Sequence, residues 1–176
     1  MNRLRIVLFR HGPAGKRDNV RWPDDGLRPL TPKGEARTRA AAAGLARLTG
    51  GARAIWTSPL ARAAQSAALL RETFRDTRVT TVEALRPGGS WRELIERLQH
   101  HRGAAGVVVL VGHEPDLGKL AGSLVFGAPR ALPLKKAGAI AIGFNGSIEP
   151  GQGQIEWLLP PRLLRARGRG RKANTR

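Results

Sequence analysis

Hydrophobic and polar positions along the chain predict strands that are each followed by a helix. The run from Leu4 to Phe9 is apolar and rich in β-forming residues, and it ends at a polar loop, as a buried strand does. Thr31 and Pro32 then have the residue types of a helix cap and a first-turn proline, and apolar residues recur at helical spacing until Gly50. Three more units of the same kind follow, with predicted strands at residues 54–57, 79–85 and 107–111.

The start of the second helix and the end of the chain complete this pattern. Ser58 and Pro59 match a cap followed by a first-turn proline. Later, the apolar runs 139–144 and 155–159 are separated by glycines with no helical pattern between them, which predicts a hairpin. Four strand–helix units and a hairpin predict an α/β protein, a three-layer α/β/α sandwich with a mostly parallel central sheet.

Composition and charge bear on domain organisation. The 176 residues suffice for one domain, and 41% hydrophobic residues exclude a globally disordered chain. We expect residues 1–164 to form that domain and residues 165–176, which are basic and have little to bury, to form a disordered tail. The net charge of +18 is consistent with an anionic partner or substrate. Nonspecific binding of the tail to polyanions is therefore one expectation.

The residue inventory excludes several classes of protein. With no cysteine, the chain has no disulfide scaffold, thiolate metal site or cysteine nucleophile. No apolar run approaches the roughly 18 residues of a membrane span, so we expect a cytoplasmic protein with no membrane partner. Asp24 and Asp25 could form a cation-binding pair, but a solvated turn explains them as well. We expect neither a metal nor another cofactor.

Three polar clusters follow predicted strands, and in open α/β sheets ligands bind at the carboxyl ends of strands. His11 and His113 should therefore lie near each other. Arg10 and Arg62 should join them, where helix N-termini add partial positive charge. Together these groups predict a site for a doubly charged oxyanion, whereas any one of them alone would be read as a solvated surface residue. The clusters are Arg10–Gly12, Ser58–Arg62 and Gly112–Pro115.

The motifs around these clusters resemble the histidine phosphatase superfamily, and more closely its SixA-type phosphohistidine phosphatases. The resemblance implies a phosphoglycerate mutase-like fold, and it extends from about residue 3 to about residue 160. Four motifs occur in the family's order, namely Leu8–Gly12, Leu30–Gly34, Thr57–Ser66 and Val111–His113.

The family resemblance also implies roles for the clustered residues. His11 would be the nucleophile that forms a phosphohistidine intermediate. Arg10, Arg62 and His113 would hold the phosphoryl oxygens during the transfer. These four residues are the predicted catalytic set.

Two further residues are candidates for phosphate binding. Gly12 would let the backbone approach the phosphate closely, although a simple turn glycine is an equally good interpretation. Arg28 matches a position of the SixA pattern and would reach the substrate from the first long loop. Exposure of Arg28 to solvent is the alternative.

The stretch Leu85–Gly89 departs from larger family members, which commonly place a general acid there. Glu83 is nearby, but we expect it at the end of a strand, facing away from the site. An alcohol leaves poorly without protonation, whereas the imidazole of a phosphohistidine leaves more easily. We therefore expect a metal-independent phosphatase that acts on phosphohistidine in proteins. Small phosphomonoesters are the alternative substrates, and a nucleic-acid-binding protein that uses its basic surface and tail is the alternative of another class.

Overall fold

The computed structural model describes residues 4–75, 77–100 and 106–168, which form a six-stranded sheet covered by helices. None of the described helices is both long and apolar enough to cross a membrane. The strands are β1 (Leu4–Arg10), β2 (Ala54–Thr57), β3 (Arg78–Thr81), β4 (Gly106–Gly112), β5 (Ala139–Phe144) and β6 (Gln154–Leu159). The helices are α1 (Pro32–Thr49), α2 (Ala61–Thr73), α3 (Trp91–His100), α4 (Asp116–Phe126) and α5 (Pro161–Gly168), with 3₁₀ turns at Asp25–Leu27 and Glu83–Leu85.

The strand order is β3-β2-β4-β1-β5-β6, and β3, β2, β4 and β1 run parallel. β5 pairs antiparallel with both β1 and β6, so the terminal hairpin makes the sheet mixed. This arrangement confirms the predicted three-layer sandwich. Leu8 pairs with Leu110 and Arg10 with Gly112, so the polar segments that follow β1 and β4 leave the sheet side by side.

Both faces of the sheet are packed, because successive residues of a strand point to opposite faces. Ile6 and Leu8 of β1 pack on the side of α3 and α4. Val7 and Phe9 pack on the side of α1, α2 and α5. The continuous apolar runs of β1 and β4 follow from this double coverage.

The helix starts agree with the sequence pattern in one case and differ in another. The Thr31 hydroxyl accepts the Gly34 N–H at 3.0 Å, and Pro32 begins α1 as predicted. The prediction that Ser58 and Pro59 begin α2 is wrong, because α2 begins at Ala61 without a side-chain cap. The Ser58 hydroxyl instead hydrogen-bonds a histidine of the site described below.

The end of the folded domain also differs from the prediction. α5 continues to Gly168, four residues beyond the expected boundary, and packs on α1. Leu164 is fully buried, and a Cβ on Gly44 would lie 1.8 Å from the Leu164 carbonyl oxygen, so only glycine permits this approach. The Arg47 guanidinium donates to the Arg167 carbonyl at 2.9 Å. The basic composition of this segment gave no sign of a helix, because α5 is held on α1 by contacts of its backbone and by one buried leucine. Residues 169–176 of the predicted tail lie outside the described residues.

Candidate active site

Four side chains meet at the carboxyl ends of β1, β2 and β4, and we call Arg10, His11, Arg62 and His113 the cationic cradle. The backbone N–H of His11 donates to the Gly112 carbonyl at 3.1 Å, and this hydrogen bond ties the ends of β1 and β4 together. The ring centroids of His11 and His113 are 4.9 Å apart. Arg62 lies in the first turn of α2 and is buried. The structure thus brings together the four residues of the predicted catalytic set.

His11 is held as a neutral imidazole. Its pKa is lowered to about 3, first by burial and then by the neighbouring His113, Arg62 and Arg10, against a hydrogen bond to the Gly12 carbonyl that favours the charged form. Its Nδ1 lies 2.7 Å from that carbonyl oxygen, and a carbonyl can only accept. The proton therefore sits on Nδ1, and the Nε2 lone pair is available as a nucleophile.

His113 is neutral for the same main reason. Burial lowers its pKa to about 4, and Arg62 and Arg10 contribute to the shift. Its Nε2 lies 2.9 Å from the Ser58 hydroxyl, while its Nδ1 is buried and has no hydrogen-bond partner among the described residues. When Ser58 donates its hydroxyl proton to Nε2, Nδ1 carries the ring proton. That N–H is then available to an oxyanion.

Each cradle arginine is anchored at the end of its guanidinium and leaves its Nε without a partner among the described residues. The Arg10 Nη1 donates to the Leu134 carbonyl at 2.7 Å, and the Arg62 Nη1 donates to the Asp25 carbonyl at 2.8 Å. The Nε atoms of both arginines are buried without a hydrogen-bond partner among the described residues. Burial lowers the pKa of each, but a guanidinium stays charged at any working pH. Two guanidinium N–H groups are thus unpaired donors, and the His113 Nδ1 is a third when Ser58 donates to Nε2. Such a set suits an oxyanion.

The loop after β1 supplies a second ring of contacts. The Asp25 carboxylate lies 2.8 Å from the Arg28 Nε and 3.2 Å from the Arg62 Nη2. The hydrogen bond from Arg28 is the main reason that the pKa of Asp25 lies below its ordinary value. Arg28 also donates to the Gly15 carbonyl at 2.7 Å, and its side chain is 12% exposed. Asp25 therefore acts as an anchor for two arginines rather than as a solvated turn, and Arg28 lies beside the cradle, not in solvent.

Gly12 has a packing role in this structure. A Cβ at this position would lie 1.9 Å from the Thr38 hydroxyl of α1, so no larger residue fits. The Gly12 N–H donates to the Ser66 hydroxyl at 3.0 Å and is not directed to the cradle. These contacts with α1 and α2 explain the glycine by packing, and the approach of its backbone to a phosphate stays a prediction.

Two charged residues at the site were not assigned to it by the sequence motifs. Burial raises the pKa of Glu114, and the nearby Arg10 opposes that rise. Lys136 precedes β5. Burial is the main reason that its pKa is lowered, and the nearby Arg10, Arg28 and Arg62 act in the same direction. Glu114 belongs to the predicted polar cluster Gly112–Pro115, and its position directly after a motif histidine makes it a candidate acid from the sequence. Lys136 lies in a segment with no motif, and only the antiparallel pairing of β5 with β1 brings it to the site.

The segment between β3 and α3 contains the stretch Leu85–Gly89, which has no acidic residue. We call residues 82–90 the β3–α3 segment. Glu83 lies in its 3₁₀ turn, its side chain is 71% exposed, and its carboxylate lies 3.5 Å from the Arg86 guanidinium. Leu85 and Gly89 instead line a small crevice next to His113, which Asp116 also borders while its carboxylate accepts the Gly88 N–H at 2.9 Å. The strand predicted at residues 79–85 ends at Thr81 in the structure, and a 3₁₀ turn takes the place of its second half.

The sequence model of the histidine phosphatase superfamily (branch 1) matches residues 6–107. The chain belongs to this superfamily. It is also 39% identical over 141 residues to an uncharacterized protein from Picosynechococcus sp., which covers 79% of this chain and 84% of that protein. The predicted family is thereby confirmed, and membership supports phosphatase activity.

Solved structures share the fold of this superfamily member. The protein histidine phosphatase SixA complexed with tungstate has a TM-score of 0.79 and 23% identity, over 91% of this chain and 99% of that chain. A phosphoserine phosphatase from Entamoeba histolytica has a TM-score of 0.64 and 15% identity, over 92% of this chain and 99% of that chain. Because proteins that differ in their substrates share the architecture, the substrate must be argued from the site itself.

Proposed function

We propose that this protein is a phosphatase that removes phosphoryl groups from nitrogen, with phosphohistidine in proteins as its substrate. The observation that carries the proposal is the neutral His11 whose Nε2 is free, beside three unpaired donors of the cradle. A nucleophile needs a lone pair, and the transferring phosphoryl group needs cations and donors on its oxygens.

The reaction has two steps in this proposal. The Nε2 of His11 attacks phosphorus, the bond between phosphorus and the substrate nitrogen breaks, and its electron pair leaves with the substrate imidazole. Water then attacks the phosphorus bound to His11, the P–Nε2 bond breaks, and His11 regains its lone pair while the water's proton passes to solvent or phosphate. Arg10, Arg62 and His113 bind the phosphoryl oxygens through both steps.

The nature of the leaving group follows from the β3–α3 segment. Its one carboxyl group, on Glu83, is exposed and paired with Arg86. Imidazole departs as a neutral group when its other nitrogen carries a proton, so it needs no acid from the protein. An alkoxide is far more basic and does need one. Phosphohistidine therefore fits a site whose donors all address the phosphoryl group.

A phosphatase of small phosphomonoesters is the second candidate, and Glu114 is the observation that favours it. Burial raises the pKa of its carboxyl group, as a general acid requires, and its Oε1 has no hydrogen-bond partner among the described residues. Against this role, Glu114 faces Arg10 and is hydrogen-bonded by the backbone of Leu134 and Gly118. We infer that it is a counter-charge for Arg10.

A panel of substrates tests the proposal. We expect rapid hydrolysis of a phosphohistidine protein and of phosphoramidate, and slow hydrolysis of sugar phosphates, with no loss of activity in EDTA. Glu114→Gln should lower all rates together, because it would loosen Arg10. If Glu114→Gln instead removes only the hydrolysis of alkyl phosphates, and the wild type cleaves those as fast as phosphoramidate, the phosphomonoesterase replaces the phosphohistidine phosphatase.

A further inference from the structure

Lys136 lies in a segment that is tied to the cradle by its backbone. The Ala137 N–H donates to the carbonyl oxygens of both Arg10, at 3.0 Å, and His11, at 3.1 Å. Ala137 has a φ of +58°, in the left-handed region that an alanine rarely adopts. The carbonyl oxygen of Leu134, two residues earlier, accepts a hydrogen bond from the Arg10 guanidinium. The backbone that carries Lys136 is therefore held against the nucleophile's own strand end, in a conformation that its hydrogen bonds impose.

The electrostatic surroundings of Lys136 are one-sided. It is close enough to Arg10, Arg28 and Arg62 for each of them to disfavour its charged form, and burial of part of the side chain acts in the same direction. Among the described residues, no carboxylate forms an ion pair with Lys136, whereas Arg28 and Arg62 share Asp25. Four cations thus converge on one place, and an anion bound there would relieve the repulsion among them.

We propose that the Lys136 ammonium binds the phosphoryl group of the substrate at the mouth of the cradle, as a fourth ligand beside Arg10, Arg62 and His113. The inference rests on the proposed function in that the anion is a phosphoryl group. Lys136 is exposed, whereas Arg62 and His113 are buried, so the ammonium would reach the phosphoryl group from the solvent side. An ammonium is a compact positive charge with three N–H donors. It should therefore bind a dianionic phosphoryl group more tightly than a monoanionic one.

Lys135 provides a matched control. It is the preceding residue, it carries the same charge and it is also exposed. A general effect of positive surface charge would change by a similar amount when either lysine is neutralised, because the two are adjacent, carry the same charge and are both exposed. A direct ligand would make Lys136 alone important.

The experiment measures the dissociation constant of inorganic phosphate by calorimetry, for the wild type and for Lys136→Gln, Lys136→Arg and Lys135→Gln, with thermal unfolding to verify that each variant is folded. We expect Lys136→Gln to weaken binding about tenfold or more, as the loss of a charged hydrogen bond does. Lys136→Arg should stay within about threefold of the wild type and Lys135→Gln within about twofold. The loss in Lys136→Gln should be larger at a pH where phosphate is a dianion.

Equal binding by the wild type and Lys136→Gln would overturn the inference, as would equal losses in Lys136→Gln and Lys135→Gln or a wild type that does not bind phosphate. Turnover of phosphoramidate by the wild type separates this result from the proposed function. If the wild type binds phosphate through Lys136 but hydrolyses nothing, the proposed function fails and the anion ligand stands. If it hydrolyses phosphoramidate and Lys136→Gln binds phosphate normally, only the ligand assignment fails.

Discussion

The cationic cradle and the β3–α3 segment border the same histidine and are built in opposite ways. Three cradle side chains are buried and Arg10 is half-buried. Each is held by a hydrogen bond to a backbone carbonyl or a hydroxyl, and one nitrogen of Arg10, Arg62 and His113 has no partner among the described residues. The β3–α3 segment presents apolar groups such as Leu85 to His113 and turns its carboxylate, on Glu83, into solvent. The cradle thus has unpaired nitrogens that suit an oxyanion, whereas the one carboxylate of the β3–α3 segment faces solvent.

Membership of the family does not distinguish how the phosphoryl group is bound from which substrate is chosen, and the two regions bear on these questions separately. Recognition of the phosphoryl group depends on the cradle, which is common to the chemistry of transfer through histidine. The choice of substrate depends on what surrounds the departing atom. The predictions below disturb one region at a time, beginning with the cradle.

Replacing His11 with alanine should have the largest effect. We expect kcat to fall by at least about 1000-fold, since no other group can form the covalent intermediate. Activity is measured with phosphoramidate, and thermal unfolding verifies that the variant is folded. His100→Ala is the control, because His100 is an exposed residue at the end of α3 and should leave the rate unchanged. A variant without His11 that retains activity within a few fold of the wild type would assign the nucleophile elsewhere.

The leaving group should control the rate in the wild type. Without an acid on the β3–α3 segment, we expect kcat/KM for aryl phosphates to exceed that for alkyl phosphates by about 100-fold or more. A series of aryl phosphates whose phenols differ in pKa gives the slope of rate against leaving-group basicity. A flat dependence would mean that the contrast between the two regions is wrong and that a general acid operates.

Acid should destabilise the folded protein through the cradle histidines. Their pKa values in the fold are about 3 for His11 and about 4 for His113, below the value of about 6.5 in the unfolded chain. The unfolded state therefore binds more protons below pH 6.5, and stability falls as the pH decreases from 6.5 toward these values. We expect a loss of roughly 2 kcal/mol for each histidine between pH 7 and pH 5.

Urea unfolding at the two pH values measures this loss. The double variant His11→Asn, His113→Asn should show much less dependence on pH over the same range. If the wild type is equally stable at pH 7 and pH 5, the two histidines are not held neutral by burial.

Replacing Asp25 with asparagine should weaken the cradle without removing any of its members. The amide would lose the charged hydrogen bonds to Arg28 and Arg62, so we expect phosphate binding to weaken about tenfold. Asp24→Asn is a suitable control, because Asp24 is an exposed neighbour that caps the 3₁₀ turn. An equal effect of the two changes would show that Asp25 acts through loop structure and not through the arginines.

Glu83→Gln should have the smallest effect. Because this carboxylate faces solvent, we expect kcat/KM for aryl and alkyl phosphates to stay within about twofold of the wild type. Steady-state kinetics with one substrate of each class is sufficient. A selective loss with the alkyl phosphate would make Glu83 the missing acid and would bring the β3–α3 segment into the reaction.

The order of elements and the cradle itself were determined by the sequence. Residues 6–9 of β1 and 107–111 of β4 are continuous apolar runs, which are typical of buried strands. Parallel strands deliver the residues that follow them to one edge of the sheet. His11 and His113 therefore had to meet wherever the predicted sheet formed. Local patterns of this kind are readable because strand burial and chain direction leave few alternatives.

The surroundings of the cradle were decided by tertiary structure. Asp25 anchors Arg62 across 37 positions of sequence, and Lys136 reaches the site because β5 returns antiparallel beside β1. The charge states of the histidines depend on burial, which no local pattern contains. α5 was missed for the same reason, since its one buried leucine joins a core cluster whose other members lie far away in the sequence, mainly on α1, α2 and the sheet. Contacts between distant residues form only when the whole fold brings them together, so their partners cannot be read from the spacing of residue types along the chain.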